Sequence, residues 1–232
     1  MDSSGPEIML NLDLLSPVLL SAKVSLVSGS LVVLLGLLAS WGMGNIQWRG
    51  KWVLECLIML PLVLSPSVIG LILLLLLGRN SFLGHVAQWC FHHPIVFTWW
   101  GGVAACTVIS FPLAYQLIKL GLDSVDIEFK DAARVDGATD LQVFFLVVLP
   151  MSYRFLSAAF LIGVARSLGE FGATMMIAGN IPQKTQTLPT AVYLAVDTGN
   201  ITLAGYWAAW SIFISFLLLL FIHGQTSPPK KV

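Results

Sequence analysis

The stretch VLECLIMLPLVLSPSVIGLILLLLL, residues 53–77, decides the fold class of this chain. It contains a single charged residue, Glu55, and as a helix it is long enough to cross the roughly 30 Å hydrocarbon layer of a bilayer. Four more stretches have the same character, at residues 17–43, 95–118, 151–178 and 203–222. Because backbone polar groups must bond one another within lipid, the sequence predicts an all-α integral membrane protein with about five transmembrane helices.

The composition is that of a chain embedded in lipid. Of the 232 residues, 57% are hydrophobic and 10% are charged, and the mean hydropathy is +0.86. Soluble domains carry about 25% charged residues, so one soluble core could not bury this much apolar surface. No clear internal repeat divides the sequence, which predicts a single domain over residues 1–232. The formal net charge of zero, without a basic face, argues against a nucleic-acid-binding protein.

Basic residues are distributed unevenly between the two sides of the predicted spans. Eight basic residues lie on one side and two lie on the other. The eight are Arg49, Lys51, Lys119, Lys130, Arg134, Arg154, Lys230 and Lys231, and the two are Arg79 and Lys184. By the positive-inside rule, the side with eight is cytoplasmic. The sequence therefore predicts a multi-pass protein of the plasma (inner) membrane, with its N-terminus outside and its C-terminus in the cytoplasm.

One predicted cytoplasmic segment is too long for a simple connection between spans. Residues 123–142, here called the acidic segment, contain six of the twelve acidic residues. Phe129, Ala132 and Ala133 are spaced so that a helix would place them on one buried face, and Gly137 could end that helix. The pattern predicts a short helix that another protein can approach closely, and a solvated surface loop is the alternative.

The order of residues in the acidic segment is specific. Asp131-Ala132-Ala133 is followed by Gly137 and then, about a dozen residues later, by Leu149-Pro150. This order resembles the EAA loop of importer-type ABC permeases, with Asp131 in place of the usual glutamate. The resemblance implies the type I ABC importer permease fold, in which this loop forms a coupling helix that docks in a cleft of a cytoplasmic ATPase subunit. It implies that Asp131, Ala132, Ala133 and Gly137 carry that contact.

A second block narrows the resemblance. Residues 165–174, ARSLGEFGAT, look like the signature segment of molybdate permeases and, less closely, of sulfate and thiosulfate permeases. Residues 60–66, LPLVLSP, and the later Gly70 are similar to the second span of that group. The short length and the five spans favour the molybdate branch. The resemblance implies import of molybdate, with tungstate as a second candidate, and a sulfate or thiosulfate permease is the alternative.

The same resemblance implies the partners of the chain. An identical subunit would complete the pore, two ABC ATPase subunits would bind on the cytoplasmic side, and an extracytoplasmic binding protein would deliver molybdate. The sequence has no P-loop, no Gly-x-Ser-x-Gly and no His-Glu-x-x-His, so we expect neither ATPase nor other enzyme activity, and no cofactor. His85, His92 and His93 fit a bilayer interface without a metal. A structural or assembly membrane protein is the alternative from a different class.

Polar residues inside the spans are the candidates for the pore and its gate. Arg166 and Glu170 are four apart, which places them on one helical face within pairing reach. Two interpretations stay open for them, a structural ion pair or part of a central gate. Gly169 and Gly172 beside them are candidates for a helix bend or a close helix contact.

A passage for an oxyanion must be wet, because moving an ion into dry lipid costs tens of kcal/mol. Small hydroxyl side chains suit the lining of such a passage. The lining candidates in the predicted spans are Ser110, Ser167 and Thr174. In the second predicted span, Pro61 and Pro66 predict a kink, since each removes one helical hydrogen bond.

Overall fold

A computed structural model describes residues 4–45, 50–79, 81–91 and 93–226, and every regular element in that part of the chain is helical. The predicted all-α fold class is therefore confirmed. The helices are α1 (Ser4–Asn45), α2 (Lys51–Val63), α3 (Pro66–Leu77), α4 (Phe82–Phe91), α5 (Trp99–Asp123), α6 (Ile127–Val135), α7 (Asp140–Val143), α8 (Leu149–Met151), α9 (Tyr153–Leu168), α10 (Gly172–Ala178), α11 (Leu188–Asp197) and α12 (Ile201–Thr226). A π-helical stretch, Phe144–Val148, joins α7 to α8.

Helices α1, α5 and α9 form the centre of the bundle, where glycines let them approach one another closely. A Cβ atom on Gly29 of α1 would lie 2.7 Å from Cγ2 of Val164, and one on Gly121 of α5 would lie 2.5 Å from the Cβ of Phe155. No side chain fits in such gaps, so these crossings require glycine. The core that they enclose includes the buried residues Val32, Ala114, Ile118, Leu122 and Ala159.

Three helical segments are individually long and apolar enough to cross a membrane. They are Leu14–Gly44 within α1, Trp99–Asp123 and, within α12, Ile201–Ile222. Two bent pairs would raise the number of spans to five, namely Lys51–Val63 with Pro66–Leu77 and Asp140–Met151 with Tyr153–Leu168. The described chain thus has three to five candidate spans, and the upper figure equals the predicted number.

The second predicted span is broken rather than kinked. Helices α2 and α3 meet at 115°, so the prediction of one kinked helix over residues 53–77 was wrong. Pro66 disfavours helical backbone at Ser65, which is extended with φ −65° and ψ 143°. The Ser65 hydroxyl then accepts a hydrogen bond from the Val68 N–H at 3.4 Å and caps α3. A fresh helix start therefore replaces a continuous helix.

The fourth predicted span is broken as well. A single helix over residues 151–178 was the prediction, but α9 ends at Leu168 and α10 begins at Gly172. Between the two helices, the Glu170 carboxylate accepts the Ala173 N–H at 3.0 Å and so satisfies one of the free N–H groups at the start of α10. On its other side, α9 is bent by 70° from the segment Asp140–Met151.

The two ends of the described chain lie at opposite ends of the bundle. Near the start of α12, the indole N–H of Trp207 donates to the carbonyl of Leu14, near the start of the first span, at 2.9 Å. Near its end, Ile222 lines a cavity with Tyr153 and Arg154 at the start of α9. Helices α1 and α12 therefore run in the same direction. Of the residues singled out in the sequence, Arg49, His92, Lys230 and Lys231 lie outside the described residues.

Substituting Gly70 by alanine should destabilise the packing of α3 on α10. The added Cβ would lie 2.7 Å from the Cβ of Met176 and 2.8 Å from the Cα of Ala173, so the two helices must separate. We expect a loss of about 1–3 kcal/mol, seen as a lower thermal midpoint of the detergent-solubilised protein. Gly205→Ala in α12 is the control, because its Cβ would meet no atom within 4 Å. Equal midpoints for the two variants would contradict the predicted close crossing.

Candidate functional site

Helix α6 in the acidic segment lies at the end of the bundle where α5 ends. The backbone of Gly137 has φ +89°, a left-handed conformation that glycine adopts without strain. Its N–H donates to the carbonyl of Arg134 at 3.0 Å, and the next N–H, of Ala138, donates to the carbonyl of Ala133 at 3.0 Å. These bonds satisfy carbonyls at the end of α6. The sequence-based expectation that Gly137 ends a helix here agrees with the structure.

The apolar side chains of α6 are exposed. Val135 is 88% exposed, Ile127 and Phe129 are each more than half exposed, and no residue of α6 is buried. The prediction that Phe129, Ala132 and Ala133 share a buried face was therefore wrong, since only Ala133 packs against the core. Ala132 lies in the open. A short helix with exposed apolar side chains at the bundle end is a surface suited to another protein.

Arg134 fastens α6 to the start of α7. Its Nη1 lies 2.9 Å from the Oδ1 of Asp131, and its Nη2 lies 3.1 Å from the Oδ1 of Asp140. Arg134 donates these hydrogen bonds to the carboxylates, and the bond to Asp131 first, then the bond to Asp140, raise the pKa of Arg134 above its ordinary value. Asp131 is thus engaged within its own chain. The loop that contains Gly137 is closed by this bridge.

Helical backbone continues from α7 towards the broken fourth span. Thr139 and Gln142 form a capping box at the start of α7, in which the Gln142 Oε1 accepts the Thr139 N–H at 2.8 Å. The π-helical stretch and α8 follow, and α9 begins after a bend of 70° at Ser152. This series of short helices leads from the loop after α6 to the break before α10.

At the break between α9 and α10, the Glu170 carboxylate bonds to both helices. The Oε2 of Glu170 lies 3.0 Å from the Nη1 of Arg166 in α9, and its Oε1 accepts the Ala173 N–H of α10 at 3.0 Å. The Glu170 side chain is 2% exposed, whereas that of Arg166 is 36% exposed. The ion pair predicted from the spacing of four is therefore formed. It joins two segments of one broken span.

Hydroxyl groups from three helices meet beside this break. The Oγ atoms of Ser28 and Ser167 are 2.8 Å apart, those of Ser110 and Ser167 are 3.4 Å apart, and Ser167 donates to the carbonyl of Gly163 at 2.7 Å. Thr174 of α10 lies 3.8 Å from the Sγ of Cys106. We call Ser28, Ser110 and Ser167 the hydroxyl junction.

The hydroxyl junction includes two of the residues that were expected to line the passage. Ser110, Ser167 and Thr174 were predicted to line a wet passage, yet all three are buried within the subunit, with at most 5% exposure. Within the single chain, Ser110 and Ser167 bond between α5 and α9, and Thr174 contacts Cys106 of α5. Hydropathy alone could not show which face of its helix each residue occupies. Ser28, which the sequence reading missed, is part of the same contact.

The two glycines of the break have different surroundings. Gly169 is exposed, and a Cβ on it would meet no atom within 4 Å. A Cβ on Gly172 would lie 3.2 Å from the Oγ of Ser67 and 3.4 Å from its backbone N. Gly172 therefore lets the N-terminal end of α3 pack against that of α10. The two broken spans meet at this point.

Metal ligands are not clustered in the described parts of the chain. No group of three or more His, Cys, Asp or Glu side chains within residues 4–45, 50–79, 81–91 and 93–226 could hold a metal ion. The ring nitrogen Nδ1 of His85 instead lies 2.8 Å from the carbonyl of Ser81.

Comparison with known proteins places this geometry in a family context. Residues 33–226 match the family model described as binding-protein-dependent transport system inner membrane component. YvgM of Bacillus subtilis, assigned by name to a molybdenum transport system permease, is 48% identical over 90% of this chain and 92% of that protein. The molybdenum transport system permease protein ModB of Escherichia coli K12 is 39% identical over 78% of this chain and 79% of its own.

A sulfate permease and a solved transporter structure are also similar to this chain. The sulfate transport system permease protein CysT of Salmonella typhimurium is 36% identical over 81% of this chain and 68% of that protein. The crystal structure of a bacterial alginate ABC transporter, in complex with an alginate-bound periplasmic protein, contains a chain that aligns with a TM-score of 0.65. It is 13% identical, with 90% of this chain and 78% of that chain covered, so it supports the fold alone.

Proposed function

Since this chain belongs to the family of binding-protein-dependent transport system inner membrane components, we propose that it is the permease subunit of an ABC importer for molybdate. Tungstate, a dianion of the same shape, is a second candidate substrate. The observation that carries the proposal is the exposed helix α6. A short loop and a series of helices with a 70° bend connect α6 to a broken span that contains the ion pair of Arg166 and Glu170. This arrangement suits a subunit that receives mechanical work at one end and opens a passage in the membrane.

The work would come from another polypeptide. We propose that two cytoplasmic ABC ATPase subunits bind α6 through Asp131, Ala132, Ala133 and Gly137. The exposed Ala132 and the exposed apolar side chains around it support this contact. Asp131 would act partly by keeping Arg134 in the bridge to Asp140. Binding in the cytoplasm requires the end of the bundle with α6 to be inside, with the N-terminus outside, as the distribution of basic residues predicts.

A second identical subunit would complete the passage. No residue of α2 is buried in the single chain, although α2 is strongly apolar. Helix α2 is attached to α5 by the pair of Glu55 and Lys119 at 2.6 Å and by the Gln116 amide on Met59. One chain with at most five spans has too few helices to enclose a gated path for an ion. We therefore propose a homodimer, with an extracytoplasmic binding protein that delivers molybdate to its outer face.

The alternative substrate is sulfate. Sulfate permeases are among the relatives, and molybdate and sulfate are both tetrahedral dianions. The higher identity to the molybdenum permeases, over more of their length, favours molybdate. The permease itself offers few cations, so selectivity would reside mainly in the binding protein.

Reconstitution tests this function. The permease is co-expressed with an ABC ATPase and a molybdate-binding protein from the same organism, and the purified complex is placed in liposomes. We expect uptake of labelled molybdate that requires both ATP and the binding protein and that is little reduced by equimolar sulfate. Uptake of sulfate in preference to molybdate would support the alternative. ATP-independent uptake, or none of either anion, would contradict the proposal.

A further inference from the structure

The guanidinium of Arg166 is only partly engaged. Its Nη1 contacts the Oε2 of Glu170 at 3.0 Å, and this is its only polar contact among the described residues. An arginine side chain carries five N–H donors in a planar fork. Most of the donors of Arg166 are therefore free, and the side chain is 36% exposed although it lies within a predicted span. Charged residues at such positions are rare, because their desolvation is costly.

Glu170 can release Arg166 without losing its other role. The two carboxylate oxygens have separate partners, since Oε1 accepts the Ala173 N–H and Oε2 contacts Arg166. A competing anion can therefore take the place of Oε2 while Oε1 still caps α10. The pairing also keeps Arg166 neutralised when no anion is present, so such an anion would bind weakly.

The surroundings leave space on the open side of this pair. Gly169 is exposed and has no neighbour within 4 Å of the position of a Cβ. The N-terminal end of α3, with the Ser67 hydroxyl, packs against Gly172 on the same break. Half-helix ends of this kind carry a positive partial charge towards anions in transporters. The principal charge of the site is the Arg166 guanidinium.

We propose that Arg166 is a transient contact for the tetrahedral oxyanion as it crosses, with the anion replacing the Glu170 oxygen on the guanidinium. This proposal rests on the proposed function. A planar guanidinium binds two oxygens of a tetrahedral anion at once, which a lysine cannot do. Between transport cycles the Glu170 carboxylate pairs with Arg166, so no unpaired positive charge remains in this region of low dielectric. The dianion enters by taking the place of that carboxylate on the guanidinium.

Protection of a cysteine beside Arg166 tests the site. Gly169→Cys is introduced after replacement of Cys56 and Cys90 by serine, and the complex with its ATPase is reconstituted in liposomes. We measure the rate at which an anionic methanethiosulfonate labels the cysteine at increasing molybdate concentration. At ten times the half-protecting concentration, labelling should be about tenfold slower. Arg166→Gln should raise the half-protecting concentration at least about tenfold, since charge-assisted hydrogen bonds are lost.

Three further variants sharpen this test. Glu170→Gln removes the competing charge, so its half-protecting concentration should fall. Arg154→Gln removes an arginine from the other end of α9 and should leave protection unchanged. If Arg166→Gln unfolds, the double variant Arg166→Gln with Glu170→Gln removes both charges and should still lose protection. Protection that survives loss of Arg166, or that Arg154→Gln abolishes equally, overturns the proposal.

Uptake by the same liposomes separates this proposal from the proposed function. If the unaltered complex imports molybdate but molybdate does not protect the cysteine, only the Arg166 site is wrong. If the unaltered complex does not import molybdate, the proposed function is wrong, and protection by sulfate then shows whether Arg166 serves another tetrahedral dianion. Absence of protection by either anion overturns the site in that case also.

Discussion

Replacement of Gly137 by proline should lower the amount of ATPase subunit that co-purifies with the permease at least about tenfold. Gly137 has φ +89°, whereas the proline ring fixes φ near −65°. Proline also removes the N–H that donates to the carbonyl of Arg134 at 3.0 Å. The chain after α6 must then take another course, which separates Asp140 from Arg134 and redirects α6. If the substitution weakens the binding free energy between the permease and the ATPase by about 1.4 kcal/mol, the affinity falls tenfold.

Gly199 provides a closely matched control at the opposite end of the bundle. It has φ +77°, its N–H donates to the carbonyl of Val196 at 3.0 Å, and a Cβ on it would meet no atom within 4 Å. Gly199→Pro therefore causes the same kind of backbone strain, away from α6. We expect its co-purification with the ATPase to be unchanged. Equal losses for the two variants would show a general folding defect, and no loss for Gly137→Pro would contradict the docking assignment.

The end of α6 was predictable because its signals are local. The helical spacing of Phe129 and Ala132, and a glycine just after the last turn, are contained in one short segment. What the sequence did not show is that Phe129 and Ala132 are exposed as well. Exposure depends on where α6 lies relative to the bundle, and only Ala133 reaches the core. The bridge from Arg134 to Asp140 also depends on the turn at Gly137, which brings the two side chains together.

The helix breaks were not predictable from hydropathy, because an apolar stretch gives the same signal whether it is straight or broken. Pro66 predicted a kink in the second span, and in the structure α2 and α3 differ in direction by 115°. At the second break, the Glu170 side chain also accepts the N–H of Ala173 at the start of α10, whereas the sequence had suggested an ion pair or a part of the gate for this residue. Only coordinates show that one oxygen of Glu170 pairs with Arg166 while the other accepts a backbone N–H of α10.

Short helices escaped prediction for a related reason. Helix α11, residues Leu188–Asp197, falls between the predicted spans 151–178 and 203–222 and is too short to span a bilayer. It is held by a distant contact, since the Leu188 N–H donates to the hydroxyl of Ser21 at 2.7 Å. The hydroxyl junction is equally nonlocal, because Ser28 and Ser167 are 139 residues apart. Contacts of this range leave no pattern in a single sequence.

Loss of the Glu170 carboxylate should have the second large effect, on both stability and transport. Breaking a buried ion pair costs about 3–5 kcal/mol, and the partial exposure of Arg166 places Glu170→Gln at the lower end of that range. Glutamine keeps an oxygen that can accept the Ala173 N–H. Glu170→Ala loses that acceptor too, which adds about 1–3 kcal/mol for a buried N–H without a partner. Thermal midpoints in detergent should therefore fall in the order unaltered protein, Glu170→Gln, Glu170→Ala.

A double variant separates the structural role of this pair from a role in the passage. Arg166→Met with Glu170→Gln removes both charges and keeps the cap, so stability should return to within about 1 kcal/mol of the unaltered protein. We expect ATP-driven molybdate uptake to stay low in this variant, because the passage has lost its guanidinium. If uptake recovers together with stability, the pair is purely structural. If Glu170→Gln alone changes neither stability nor uptake, the carboxylate has no role at the break beyond the cap that glutamine preserves.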